Sequence, residues 1–184
     1  MSIDKRSTAS PSSTAASAGK YGKKTTGEPK GLRVMEAIVT PYAPLNDSAD
    51  FWLIAQQLRK STESERLRNI QAGFSSAWVR AVRETFKLSN ALLEALFNAS
   101  MSTLERRQRD GQPLDPVTSE RLDRVAMIAM QAVNVFETPE LASRWMVTGN
   151  MALGDQTPLH LCETEIGARQ VRRALAALEY GGVV

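Results

Sequence analysis

Three times between residues 115 and 158 a capping side chain stands immediately before a proline: Asp115-Pro116, Thr138-Pro139 and Thr157-Pro158. This dipeptide is a strong local commitment to helix. The Asp or Thr oxygen accepts from an otherwise unpaired N–H of the first turn, and proline at the first helical position loses no hydrogen bond. Between the later two, Gly149-Asn150 and Gly154-Asp155 supply turns. The block from Phe136 to Gly182 therefore reads as short, closely punctuated helices ending in an apolar tail. It has the look of a compact docking module rather than a chemical site.

Apolar spacing extends the same reading upstream. Phe51, Ile54, Ala55 and Leu58 share one face of a first helix after Asn46-Asp47-Ser48. Thr62 to Ala72 is a second, with Leu67 and Ile70 inward and Gly73 as its stop. Ser76 opens a third, striped by Val79, Val82 and Phe86. A short helix from Asn90 to Phe97, capped by Ser89, carries Leu92, Leu93, Leu96 and Phe97. The break Asn98-Ala99-Ser100 leads to a helix from Met101 to Arg109, ended by Asp110-Gly111. The helix opened by Asp115-Pro116 runs to Phe136, with Leu122, Val125, Ala129, Val133 and Phe136 inward, and Trp145, four residues after Leu141, buries against it. The last helix, after Thr164, turns Val171, Leu175 and Leu178 inward. Gly167 lies inside it, where it costs about 1 kcal/mol relative to Ala, so either close helix packing or the approach of a partner's backbone explains it. No strand pattern and no internal repeat interrupts this series, and the fold class is all-α.

Bulk properties limit what such a fold can be. The chain has 184 residues, 42% of them hydrophobic, enough for the core of one or two small domains. No apolar run approaches the ~20 residues of a membrane helix. Cys162 is the only cysteine, so no internal disulfide forms, which fits a reducing compartment or indifference to redox. The net charge of +3 is uneven: residues 1–33 hold seven cations against two anions, leaving the remainder at −2. That opening segment is too poor in large apolar groups to offset its ordering entropy, and Val34 to Leu45 is broken by Pro41 and Pro44. Residues 1–45 are expected to form a disordered basic tail and an irregular segment. Asp4 and the lack of an amphipathic arginine helix count against a transit peptide, leaving a solvated tail, or an arm on DNA phosphates.

Residues 76–109 have the layout of a helix-turn-helix DNA reader: a supporting helix, a short one, a tight break, then an exposed one. In the exposed helix, Ser102 and Thr103 are small donors for phosphates or base edges, and Arg106 and Arg107 reach backbone oxygens or a guanine edge one turn later. Leu104 anchors the helix to the core. The competing explanation is an ordinary solvated face, in which Glu105 and Asp110 balance the arginines.

Catalytic signals are absent from the sequence. His160 is the only histidine and lies two residues from Cys162; two ligands do not make a metal site, and neighbouring positions on a short helix point apart. Glu163 and Glu165 flank the helix start at Thr164, where the helix dipole favours them. No metal, cofactor or enzyme activity is expected. Arg169, Arg172 and Arg173 lie off the buried stripe of the last helix, as a solvated face or as pairing groups for an acidic partner.

A run of ordered short motifs carries a resemblance. Trp145-Met146-Val147-Thr148-Gly149-Asn150, Leu153-Gly154-Asp155-Gln156-Thr157-Pro158-Leu159, Thr164-Glu165-Ile166-Gly167-Ala168 and Glu179-Tyr180-Gly181 follow one another as in the toxin-binding domain of the Xre/MbcA/ParS antitoxins. Upstream, Leu88-Ser89 through Thr103-Leu104-Glu105-Arg106-Arg107 is similar to the family's Xre-like helix-turn-helix, and Ser119 to Phe136 to its connecting helix. The likeness spans about residues 70–184. The family usually has proline where Gly149 stands and a second glycine where Asp155 stands; both replacements suit a turn. The resemblance implies a helix-turn-helix domain over residues 46–115 and a toxin-binding domain over 116–184. It implies a cytoplasmic antitoxin of a type II system whose partner is a RES-domain toxin that degrades NAD or uses it for ADP-ribosylation. It also implies a homodimer that represses its own operator DNA through Ser102, Thr103, Arg106 and Arg107. Arg169, Arg173 and the tail Tyr180, Gly181 and Val183 would cover the toxin's cleft. The alternative is a stand-alone repressor whose C-terminal part serves dimerisation.

Overall fold

Capping chemistry decides where the helices of this chain begin. The computed structural model describes residues 50–181, all within the unit formed by residues 39–184. The expectations for the 1–45 tail and for Val183 lie outside the described residues. The described helices are α1 (Phe51–Lys60), α2 (Glu63–Ala72), α3 (Ala77–Phe86), α4 (Asn90–Phe97), α5 (Met101–Arg109), α6 (Pro116–Phe136), α7 (Pro139–Val147), α8 (Pro158–Leu161) and α9 (Glu165–Glu179), with a 3-10 turn at Met151–Leu153 before α8. Among the described residues there is no sheet, only isolated bridges between Ser75 and Pro113 and between Asn150 and Gln156. The all-α expectation is borne out.

The side chains of Asp115, Thr138 and Thr157 each accept from the N–H three residues on, at 3.0, 3.2 and 3.2 Å, with proline at the head of the helix. Ser89, Ser100 and Thr164 cap α4, α5 and α9 in the same way. Thr62 and Glu65 form a reciprocal capping box at α2. Ser76 departs from the pattern: it is buried, its backbone is helical, and its side chain makes no capping bond.

α6 is the spine. It packs against α1, α2 and α4 from the first half of the chain and against α7 and α9 from the second. Leu122, Val125, Ala126, Ile128, Ala129 and Ala132 are fully buried, so the apolar surface of α6 is wider than a single stripe, as expected of a central helix. Phe51, Ile54 and Leu58 of α1 reach this core, as do Trp78 of α3, Leu93 and Phe97 of α4, Met146 of α7 and Leu175 of α9. Each such side chain contributes about 1.5–3 kcal/mol on burial. Phe51 meets Phe86 edge to face at 5.1 Å, closing α1 onto the end of α3.

Polar contacts reinforce the spine. Arg66 of α2 forms a two-pronged pair with the buried Asp123 of α6, its Nε donating at 2.9 Å. Arg121 donates to the carbonyls of Ala95 and Leu96 at 3.1 and 3.0 Å, satisfying the C-terminal end of α4.

Two inward assignments change. Leu67 is 57% exposed, because α2 meets α6 through Arg66 and the partly buried Ile70 instead. Leu178 is 50% exposed: α9 runs beyond its support, and every described residue from Ala177 onward is exposed. Trp145 packs against α6 as expected, half-buried on Phe136 with ring centres 5.4 Å apart, while Leu141 stays exposed.

Candidate nucleic-acid and partner interfaces

α3, α4 and α5 form the helix-turn-helix. The turn between α4 and α5 has no glycine; Asn98 takes the left-handed conformation (φ 51°) usually left to glycine, and asparagine tolerates it better than most residues. The Glu94 carboxylate accepts the Met101 N–H at 2.6 Å, tying α4 to the first turn of α5. Leu104 is buried, as the anchor it was expected to be.

The four sequence-derived DNA contacts sit differently on α5. Ser102 and Arg106 stand on its outer face with Glu105 and Arg109. Arg106 has no hydrogen bond or ion pair among the described residues, whereas Arg109 lies 3.6 Å from Asp110. Thr103 is half-buried, and its hydroxyl shares the Ser100 hydroxyl at 2.9 Å; Ser102 shares it at 3.0 Å. Arg107 is turned along the helix and donates to the Pro113 carbonyl at 2.8 Å. It holds the turn that leads into α6.

On the second half, α9 presents Arg169 and Arg173 one turn apart, both exposed and both without an ion pair among the described residues. Arg172 points elsewhere, to Glu165. Tyr180 is 83% exposed at the end of α9, and Gly181 follows at φ 70°. The face and the helix end are thus continuous along one exposed stretch.

Gly167 is explained by packing within the chain. A Cβ there would lie 2.2 Å from the Leu161 carbonyl oxygen, so only glycine lets α9 approach the backbone of α8. Gly149 is similarly constrained: a Cβ would come within 2.8 Å of the Asp155 carbonyl oxygen. Asp155 occupies a left-handed position (φ 61°).

His160 and Cys162 separate as their spacing implies. His160 is exposed, with Nδ1 2.9 Å from a Glu163 carboxylate oxygen. Cys162 is buried, and burial pushes its thiol up to about 12 despite the nearby Arg124 and Arg172 charges. A thiol held protonated in this way is no nucleophile.

One node was missed in the sequence. Arg124 of α6 is nearly buried and donates to the Cys162 carbonyl at 3.0 Å; it also pairs with Glu120 and lies 3.6 Å from Glu165 at the start of α9. The (i, i+4) spacing of Glu120 and Arg124 was a legible clue to part of it. Met151 was also missed. It projects from the 3-10 turn 89% exposed, beside a buried Leu153.

Comparisons with known proteins agree with this architecture. Residues 65–127 match the antitoxin Xre-like helix-turn-helix domain, and residues 131–181 match the antitoxin Xre/MbcA/ParS C-terminal toxin-binding domain. Among relatives, an antitoxin Xre of Yersinia enterocolitica is 33% identical over 115 residues, covering 61% of this chain and 77% of the relative. A Prs ADP-ribosylating antitoxin of Sphingobium sp. is 24% identical over 133 residues, covering 67% and 84%. An antitoxin Xre of Pseudomonas putida is 29% identical over 112 residues, covering 61% and 69%. With the helix-turn-helix match followed in order by the toxin-binding-domain match, the chain belongs to the Xre/MbcA/ParS antitoxin family.

Proposed function

We propose that this antitoxin neutralises a RES-domain toxin, one that degrades NAD or uses it to ADP-ribosylate, by seating the exposed end of its toxin-binding domain over the toxin's active site. The observation that carries the reading is the outer side of α9: Arg169 and Arg173 exposed and without ion-pair partners among the described residues, continuing into Tyr180 and Gly181 at an exposed helix end. Val183 extends the same end in sequence. An arginine pair of this kind engages carboxylates bidentately, and an aromatic beside it supplies the buried anchor of a small interface. Inhibition is steric and needs no chemistry from the antitoxin. The relative from Sphingobium, by its name, is the antitoxin of an ADP-ribosylating system, and it aligns with this chain over 84% of its length.

The same protein, as a homodimer, represses its own operator DNA. α5 enters the major groove with Ser102, Thr103 and Arg106 toward the DNA, while Arg107 adds charge from the turn it braces. Domain limits near residue 115 follow from this division, with α6 shared between the two tasks.

The test is co-expression with the product of the neighbouring gene, which this reading expects to be a RES-domain protein. Full-length antitoxin should restore growth; a chain lacking residues 179–184 should not, while keeping its helical circular dichroism and operator binding. Normal rescue by the truncated chain would overturn the reading. For the DNA face, Arg106→Ala should weaken operator binding and lower the salt dependence by about one counterion.

A further inference from the structure

The 3-10 turn between α7 and α8 is built to hold its shape. The Asn150 side chain accepts from Ala152 N–H at 2.9 Å, the Asn150 carbonyl accepts from Leu153 and Asp155 N–H at 2.9 Å each, and Asn150 N–H donates to the Gln156 carbonyl at 3.1 Å. Leu153 is buried and fills the inward position of the turn. Met151 is therefore fixed outward, exposed to 89%. A lone exposed apolar residue is unremarkable in itself. This one is a large side chain displayed on a hydrogen-bonded turn, beside a shallow hollow that Ala152, Leu153 and Gly154 share with Gln170, Arg173 and Ala174 of α9. Arg173 at the edge of that hollow is unpaired among the described residues. The turn, the hollow and the arginine all lie within the stretch that matches the toxin-binding domain.

We infer that Met151 and the hollow beside it form a second, apolar anchor for the toxin that adjoins the arginine face of α9 at Arg173: a knob inserted into a recess of the toxin next to the carboxylate that pairs with Arg173. The inference rests on the antitoxin reading above. A knob displayed on a rigid turn loses little freedom on binding, so most of its burial appears as affinity. Methionine adapts to an imperfect recess and tolerates replacement by leucine. The toxin carboxylate complements the positive charge of α9, which Arg172 does not share because Glu165 already engages it.

The experiment measures, by calorimetry, the dissociation constant between the full-length chain and the product of the neighbouring gene, the RES-domain protein expected by that reading. Met151→Asp should weaken binding about 10- to 100-fold, the loss expected for one buried methionine side chain, and Met151→Leu should stay within about threefold. Operator binding and the melting temperature should be unchanged, since Met151 touches neither the DNA-reading helix nor the core. An unaltered toxin affinity in Met151→Asp overturns the second anchor and leaves the antitoxin reading standing. Loss of self-association with toxin affinity unaltered assigns the knob to a second copy of the chain and equally overturns it. A wild-type chain that does not bind that protein overturns both.

Discussion

Gly167→Ala sets two physical effects against each other. By helix propensity alone the substitution stabilises α9 by about 1 kcal/mol. The structure gives the opposing term: the new Cβ would stand 2.2 Å from the Leu161 carbonyl oxygen, 2.9 Å from its carbonyl carbon and 3.0 Å from its Cα. All three atoms are backbone, so no side chain can swing aside, and α8 must retreat by about 1 Å. That retreat is resisted by the buried Leu159 and Cys162, the Thr157 cap and the bond from Arg124 to the Cys162 carbonyl. Overpacking of this kind costs about 1–3 kcal/mol, and a backbone obstacle belongs at the upper end. The net expectation is a loss of about 2 kcal/mol, which for a folded region of this size lowers the melting temperature by about 5–10 °C. Thermal melts followed by circular dichroism measure it directly, with Gln170→Ala on the exposed side of the same helix as a control that should shift little. A melting temperature equal to or above that of the wild type would refute the packing argument.

Three further outcomes follow from the described contacts. Arg66→Ala leaves the buried Asp123 carboxylate without its partner and should cost about 3 kcal/mol in a urea titration, whereas the double change Arg66→Leu with Asp123→Leu should recover much of it; equal losses in both proteins would contradict the pair's role. Cys162, with its thiol pushed up to about 12 by burial, should resist iodoacetamide at pH 8 in the folded protein and react fully in denaturant; rapid labelling of the folded chain would count against the buried placement. Burial pushes the Asp115 carboxyl up, but hydrogen bonds from the Thr118 N–H and hydroxyl and the Arg107 charge outweigh it and leave it below the usual carboxylate range. Its contribution is therefore complete above the unfolded value of about 3.9 and is lost as pH falls through the lowered folded value, so Asp115→Asn should flatten the acid limb of the stability curve.

What could be read from the sequence was what local chemistry decides. The helix starts at Asp115, Thr138, Thr157 and Thr164 were legible because a cap bonds to its own first turn, whatever lies across the core. The buried stripe of α3 was legible because Val79, Val82 and Phe86 leave one face open to burial. Leu67 and Leu178 were misplaced for a different reason: which side of a helix faces inward, and how far along it the support extends, depends on partners far away in sequence. The inward position on α2 belongs to Arg66, whose partner Asp123 lies 57 residues on. At the interfaces, the residue types on α5 and α9 were legible, but the turning of Arg107 toward Pro113 and the rigid outward display of Met151 were not. Both arise from backbone geometry that a residue pattern does not encode.

The 21-residue α6 has a consequence for how such proteins diversify. Within a few turns it holds Arg66 through Asp123, the end of α4 through Arg121, and the α8–α9 junction through Arg124. Grafting the C-terminal module of one antitoxin onto the reading head of another would have to keep both sets of contacts on a single rod. Chimeras joined inside α6 should fold only when the two parents agree along its length, so lineages that trade toxins would be expected to inherit the whole rod as one piece.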